Sequence, residues 1–169
     1  VFDSTENYCT VLARTNDASS WFVDWGDGSP IDTVASNTTV THNYAFSATA
    51  LDGTLTPKGY KQALVRVYAN TGKSFYSLFL NQKATSPSGL ATYSSGWLDM
   101  NINLPNLAAG YNLNIGTNVI RHGYLERVNI TSWGSVNNLT GLFWNCNALL
   151  SVNEHEWNMS GIVYLNNLF

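Results

Sequence analysis

Between Tyr8 and Phe79 no stretch of the chain holds an apolar helical period for three turns. Short alternating runs broken by turn residues take its place, and that pattern restricts this half to β-structure. The spacing predicts strands over residues 8–13, 20–25 and 38–44. Two further runs, 61–68 and 74–80, flank Ala69-Asn70-Thr71-Gly72-Lys73, where Asn and Gly tolerate positive φ, so they are expected to pair as a hairpin. In that pair Leu64 has apolar neighbours while Gln62 and Arg66 alternate outward, the pattern of a strand with one wet face.

Composition narrows the setting. Charged residues make up 11% of the 169, against roughly 25% in an average soluble domain, and Asn, Ser, Thr, Gly and Tyr fill the polar positions. This is the composition of a β-rich protein that works outside a cell. The hydrophobic share of 44% suffices for a packed core. A net charge of −3 with no Lys/Arg cluster excludes a phosphate footprint, so no nucleic-acid partner is expected. No apolar run approaches the roughly 20 residues of a helical membrane span. The start, Val1-Phe2-Asp3-Ser4, is neither a signal peptide nor an initiator Met, so the chain is expected to be processed or cut from a longer one. Cys9 and Cys146 read as buried free thiols rather than a staple between two halves.

The most specific stretch is Trp21-Phe22-Val23-Asp24-Trp25-Gly26-Asp27-Gly28-Ser29, followed by His42-Asn43-Tyr44 and by Gly59-Tyr60 leading into Ala63-Leu64-Val65-Arg66-Val67. Gly26 and Gly28 let the chain reverse where a Cβ would clash, and Asp27 is placed to accept backbone N–H bonds across the turn. A calcium site is the sharper reading, with Asp24, Asp27 and Asp32 supplying oxygens from one loop end. Strand alternation points Asp24 away from its neighbours and favours a structural turn. No other cofactor is expected. His42 has no Ser or Cys elbow beside it and no carboxylate evidently placed to orient its ring, which argues against a catalytic base.

These motifs resemble the PKD family of immunoglobulin-like domains over about the first 80 residues. The resemblance implies a β-sandwich in which His42 makes a structural hydrogen bond. The chain departs from the family at residues 46–58, an insertion carrying Asp52-Gly53 and Pro57. Loops on a rigid scaffold commonly carry binding, which makes Asp52 a candidate contact residue.

The Ser/Pro/Gly composition of residues 83–90 marks a connection, so a unit at 1–83, a linker at 84–95 and a second unit at 96–169 are expected. In the second unit Trp97-Leu98-Asp99-Met100-Asn101-Ile102-Asn103-Leu104 alternates strictly, and Asn112-Leu113-Asn114-Ile115 repeats the theme. Leu125, Val128 and Trp133 then recur as Leu149, Val152 and Trp157 after roughly 24 residues, an interval typical of leucine-rich units. Leu139-Thr140-Gly141-Leu142-Phe143 is echoed by Leu165-Asn166-Asn167-Leu168-Phe169. Together with Asn145-Cys146-Asn147-Ala148-Leu149 and Trp157-Asn158-Met159-Ser160-Gly161-Ile162-Val163, these stretches resemble the BspA-type leucine-rich repeat over residues 120–169. The resemblance implies a buried, unreactive Cys146. Each such repeat buries its side chains only against the next, and Phe169 falls in mid-repeat by the family pattern. Either further chain or another subunit is therefore expected to cover an apolar end. Trp133 and Trp157 read as a core ladder, with a sugar-stacking platform shared with Trp97 as the alternative. Glu154-His155-Glu156 invites a metal reading, but neighbouring residues of an extended chain point to opposite faces.

The expected fold is mainly β: an immunoglobulin-like (PKD-like) β-sandwich plus a short leucine-rich-repeat-like β solenoid segment. With no nucleophile elbow, paired carboxylates or metal triad in view, no enzyme is expected. Both resemblances imply a structural or adhesion module, extracellular, on a phage particle (fibre or decoration protein) or a bacterial surface. Its expected partners are other virion or surface subunits, copies of itself, and a cell-surface glycan or protein receptor. An accessory carbohydrate-binding or spacer part of a secreted enzyme is the alternative, with contacts at Trp97, Trp133 or Trp157.

Overall fold

The computed structural model describes residues 8–80, 83–85, 91–93, 96–107, 113–116, 122–153 and 157–169, and their architecture is mainly β. In the first half the strands are β1 (Tyr8–Thr15), β2 (Trp21–Asp24), β3 (Asp32–Val34), β4 (Thr38–Asn43), β5 (Arg66–Ala69) and β6 (Phe75–Phe79). Short 3₁₀ turns at Thr49–Thr54 lie between β4 and β5. Then follow β7 (Lys83–Thr85), β8 (Ala91–Tyr93), β9 (Asp99–Asn103), β10 (Leu113–Asn114), β11 (Arg127–Ser132) and β12 (Ser151–Val152).

Alternation decides which side chains meet. In β2, Trp21 and Val23 are fully buried, as is Trp25 just beyond it, while Phe22 and Asp24 point outward. Opposite them stand Val11 and Ala13 of β1 and Phe75 and Leu78 of β6, all buried. Trp21 meets Phe75 edge-on at 6.1 Å across the gap, and its Nε1 donates to the Ala35 carbonyl at 3.1 Å. The sheet β3-β2-β5 therefore packs against the sheet β10-β6-β1-β4, an arrangement compatible with a β-sandwich.

The hairpin expected from the Asn-x-Gly turn does not form. The turn itself is present, with Lys73 N–H donating to the Asn70 carbonyl at 2.9 Å and Gly72 at φ 74°. The strands it joins diverge, however: β5 pairs with β2, and β6 with β1 and β10. The joint is a corner between two sheets, because burying Phe75 and Leu78 against Trp21 requires β6 to lie opposite β2 and not beside β5. Leu64 is also corrected, lying 64% exposed on the same wet face as Gln62 and Arg66. The short β3 escaped sequence reading because three residues are too few to show a period. Within the expected linker, β7 and β8 pair antiparallel.

Among the described residues, the second half lays three successive chain passes side by side. Strands β9, β11 and β12 are parallel, with Met100, Val128 and Val152 in one register row. Further along each pass, Leu104 N–H donates to the Ser132 carbonyl and Ser135 N–H to that of Leu107. Gly116 N–H reaches Leu142, and Phe143 N–H reaches Leu168. The pairing of Val128 with Val152 spans the 24-residue interval read from sequence, and that of Met100 with Val128 spans a longer one. Where β12 ends, the Asn153 side chain takes over from the backbone: its Oδ1 accepts the Ile130 N–H at 2.7 Å and its Nδ2 donates to the Ile130 carbonyl at 3.1 Å.

The two halves share more than a connection. Strand β10, in the first pass, pairs parallel with β6, and the buried side chains of both halves form one continuous cluster.

Candidate functional site

A cleft of about 1070 Å³ opens between β5 and β9, each the outermost strand of its sheet. Every residue from Leu64 to Ala69 lines one side, and every residue from Asp99 to Asn106 lines the other. Phe75, Leu78 and Leu80 contribute apolar floor, with Trp97 beside them and Val128 and Val152 further along. Three cations stand on the rim. The Arg66 guanidinium lies 3.2 Å from Asp24, that of Arg127 lies 2.7 Å from Asp99, and Lys73 pairs with Asp17. The Lys73 and Ser19 hydrogen bonds hold the Asp17 carboxyl well below its ordinary value, and Asp99 holds the Arg127 guanidinium above its own. Each of the three cations thus carries a carboxylate partner.

Of the aromatic residues singled out from sequence, Trp97 alone lines this cleft, its Nε1 donating to the Leu80 carbonyl at 3.3 Å. Trp133, at 4% exposed, has no face to offer a sugar. Its ring meets Trp157 at 4.8 Å, Trp157 lies over Phe143, and Phe143 stacks on Phe169 at 5.4 Å. Trp157 is half-buried, with Nε1 turned inward to Asn153. Both Trp therefore belong to the packing between passes.

Asp24, Asp27 and Asp32 each serve the turn. Asp24 accepts the Gly26 N–H at 2.9 Å, Asp32 accepts the Trp25 indole N–H at 2.7 Å, and Asp27 accepts both the N–H and the hydroxyl of Ser29. Among the described residues no three His, Cys, Asp or Glu side chains gather to hold a metal ion. Glu154, His155 and Glu156 lie outside the described residues.

His42 has the orienting carboxylate that its sequence surroundings did not suggest: Nε2 lies 2.7 Å from Asp27 Oδ2. The ring stacks on Trp25 at 4.9 Å and meets Tyr44 edge-on, while the Tyr44 hydroxyl donates to the Trp25 carbonyl. Because Ser29 bonds the carboxylate and not the imidazole, the trio lacks the order of a nucleophilic relay and serves to lock the turn. Burial works against the charged form of Asp27, yet the Ser29 and His42 hydrogen bonds outweigh it and hold the carboxyl below its ordinary 3.8. Its contribution to stability is therefore complete above that pH and is lost as pH falls through the folded value. Asp27→Asn is expected to cost about 1–3 kcal/mol at neutral pH. In thermal melts the gap from the unaltered chain should be full at neutral pH and shrink as pH falls below the ordinary 3.8; a gap that does not change with pH would show that the charge is immaterial.

Asp52, the candidate on the insertion, accepts a bond from Lys61 Nζ. That buried ammonium also donates to the Phe46 and Ala48 carbonyls and sits 4.9 Å from the Phe46 ring. One Lys thus clasps the insertion from within. Both cysteines are buried and unbridged, and burial pushes the Cys146 thiol up to about 12, which leaves it protonated and inert at neutral pH.

No family model, curated protein or solved structure matches this chain.

Proposed function

We propose that the chain is a non-catalytic structural or adhesion module displayed outside the cell, on a phage particle or a bacterial surface. In this reading a PKD-like, immunoglobulin-type sandwich at 1–83 is joined to a short BspA-type leucine-rich segment at 96–169. The observation that carries it is the use made of the described acidic and imidazole groups. Asp27 serves His42 and Ser29, Asp32 serves Trp25, and Asp52 serves Lys61, while the cleft is lined by apolar side chains, asparagines and the ion-paired Arg66, Lys73, Asp99 and Arg127. Contact with other subunits, copies of the chain among them, is supported by the third pass, on which Val163, Tyr164, Leu165 and Phe169 stand exposed. Many weak contacts repeated over copies supply strength by avidity. Immunogold labelling with an antibody against the chain is expected to decorate intact particles or cells in regular copies; label confined to the cell interior would count against display.

The presence of Trp97 in the same cleft as Asn101, Asn103 and Asn106 favours one second reading, an accessory carbohydrate-binding part of a secreted enzyme. A glycan array positive for one polysaccharide and lost on Trp97→Ala would support it.

A further inference from the structure

We propose that His122 is an acid-sensitive latch: protonating its buried ring releases residues 113–116 and, with them, the seam between the two halves. The imidazole is fully buried. Its Nε2 lies 2.6 Å from the Ile115 carbonyl oxygen, which can only accept, so Nε2 carries the hydrogen of the neutral ring. Nδ1 is buried with no hydrogen-bond partner among the described residues. A second proton must go there, and it puts both a charge and an unanswered N–H donor into an apolar interior.

The carbonyl that receives the ring belongs to the stretch that ties the halves together. Just before it, Leu113 and Asn114 form β10, whose pairing with β6 spans only Leu78 and Phe79, and the Asn114 carbonyl accepts the Leu80 N–H at 2.9 Å. Just after it, the Gly116 N–H donates to the Leu142 carbonyl at 2.7 Å. Gly116 passes so near Trp144 that a Cβ would lie 2.3 Å from the Trp144 carbonyl oxygen. His122 is pinned to the same neighbouring pass, its own N–H donating to the Asn145 carbonyl at 3.2 Å. The ring thus fastens residue 115 to residue 122, and once it leaves, a two-residue strand holds the seam with little help.

Burial lowers the His122 pKa from its ordinary 6.5, and the Ile115 carbonyl, which favours a protonated ring, opposes this without prevailing. Closure is accordingly at full strength above about pH 6.5, where a freed imidazole is neutral as well. Below that, an opened segment takes up a proton that the closed one refuses, and closure weakens by up to about tenfold per pH unit. Neighbouring titratable groups do not offset this. The Cys146 thiol, next to Asn145, is held protonated and uncharged, Tyr124 turns its ring to Tyr60, and the charge of Glu126 acts on Arg127. Arg121 is a cation, and a cation opposes protonation of the ring at any distance. The latch does not depend on where the chain is displayed, so failure of either proposal leaves the other standing.

The experiment follows backbone amide exchange of the full chain by NMR from about pH 7 to about pH 4.5, with rates corrected for the intrinsic pH dependence of exchange. Protection of the Leu80, Gly116 and His122 amides is expected to fall about tenfold between about pH 6.5 and about pH 5, while the amides of β2 keep theirs. The loss tied to Asp27 enters only below 3.8, outside this window. His122→Gln retains an N–H donor for Ile115 and has no group that titrates, so its profile should be flat. The ring carbon shifts of the unaltered chain are expected to keep the neutral, Nε2-protonated form below the ordinary 6.5. A ring that titrates at 6.5 or above, three amides indifferent to pH, protection lost equally in β2, or a pH profile unchanged in His122→Gln overturns the proposal. Should that variant fail to fold, the ring shifts and the three amides of the unaltered chain decide.

Discussion

Replacing Trp21 with alanine is expected to lower stability by about 3–5 kcal/mol. The indole is fully buried where the two sheets of the first half meet, it packs edge-on against Phe75 of the facing sheet, and its N–H satisfies the Ala35 carbonyl. Truncation removes the apolar contact and leaves a void the facing strands cannot close without breaking register. Domains of this size are stable by only about 5–15 kcal/mol, so the variant should unfold at a much lower denaturant concentration. Trp144→Ala supplies the control, since that ring is on the surface and its loss should cost under about 1 kcal/mol. Equal shifts of the urea midpoint for the two variants would show that the sheets do not depend on this contact.

The second large effect is expected at Gly26, where alanine should cost about 3–4 kcal/mol. Gly26 has φ 74°, and a Cβ there would lie 2.3 Å from the Leu64 carbonyl oxygen and 2.9 Å from the Leu64 carbonyl carbon and nitrogen. Every close neighbour is backbone, so the clash is relieved only by moving the segment that enters β5. Gly28 separates the two causes. It also has positive φ, at 86°, yet a Cβ there meets nothing within 4 Å, so Gly28→Ala should carry only the conformational cost of about 1–2 kcal/mol. Comparable denaturation midpoints for the two variants would refute the close approach. The first glycine of the Gly-Asp-Gly-Ser turn is thus needed for proximity to Leu64, and the second for its backbone angle alone.

The strands at Tyr8, Trp21, Thr38 and Phe75 were legible from sequence to within a residue or two, because alternation is a local property. Their partners were not. Asn70-Thr71-Gly72 reads as a hairpin turn, and nothing within a few residues of it says that Phe75 must face Trp21 while Val67 lies beside Val23. The row Val128–Val152 followed from a shared interval, but the longer step from Asp99 to Arg127 hid the first pass. At the turn, Asp27 was recognised as an acceptor of backbone N–H bonds, whereas its bond to His42 depends on how β4 lies against the loop. Of the cleft, only Trp97 stood out. Its lining comes from strands far apart in the chain, and which of them end up facing one another is decided by the whole topology; the apolar Leu64 and Tyr68 on a wet face were a further local hint.

The seam between Leu113–Asn114 and Leu78–Phe79 bears on how the molecule carries load. The Leu80 N–H reaches across it to the Asn114 carbonyl, and the apolar interior runs through it unbroken. A pull applied between the ends of the chain finds no slack hinge at that junction; it must shear backbone bonds and expose oily surface together. The molecule should stretch as a stiff strut, not as two beads on a string.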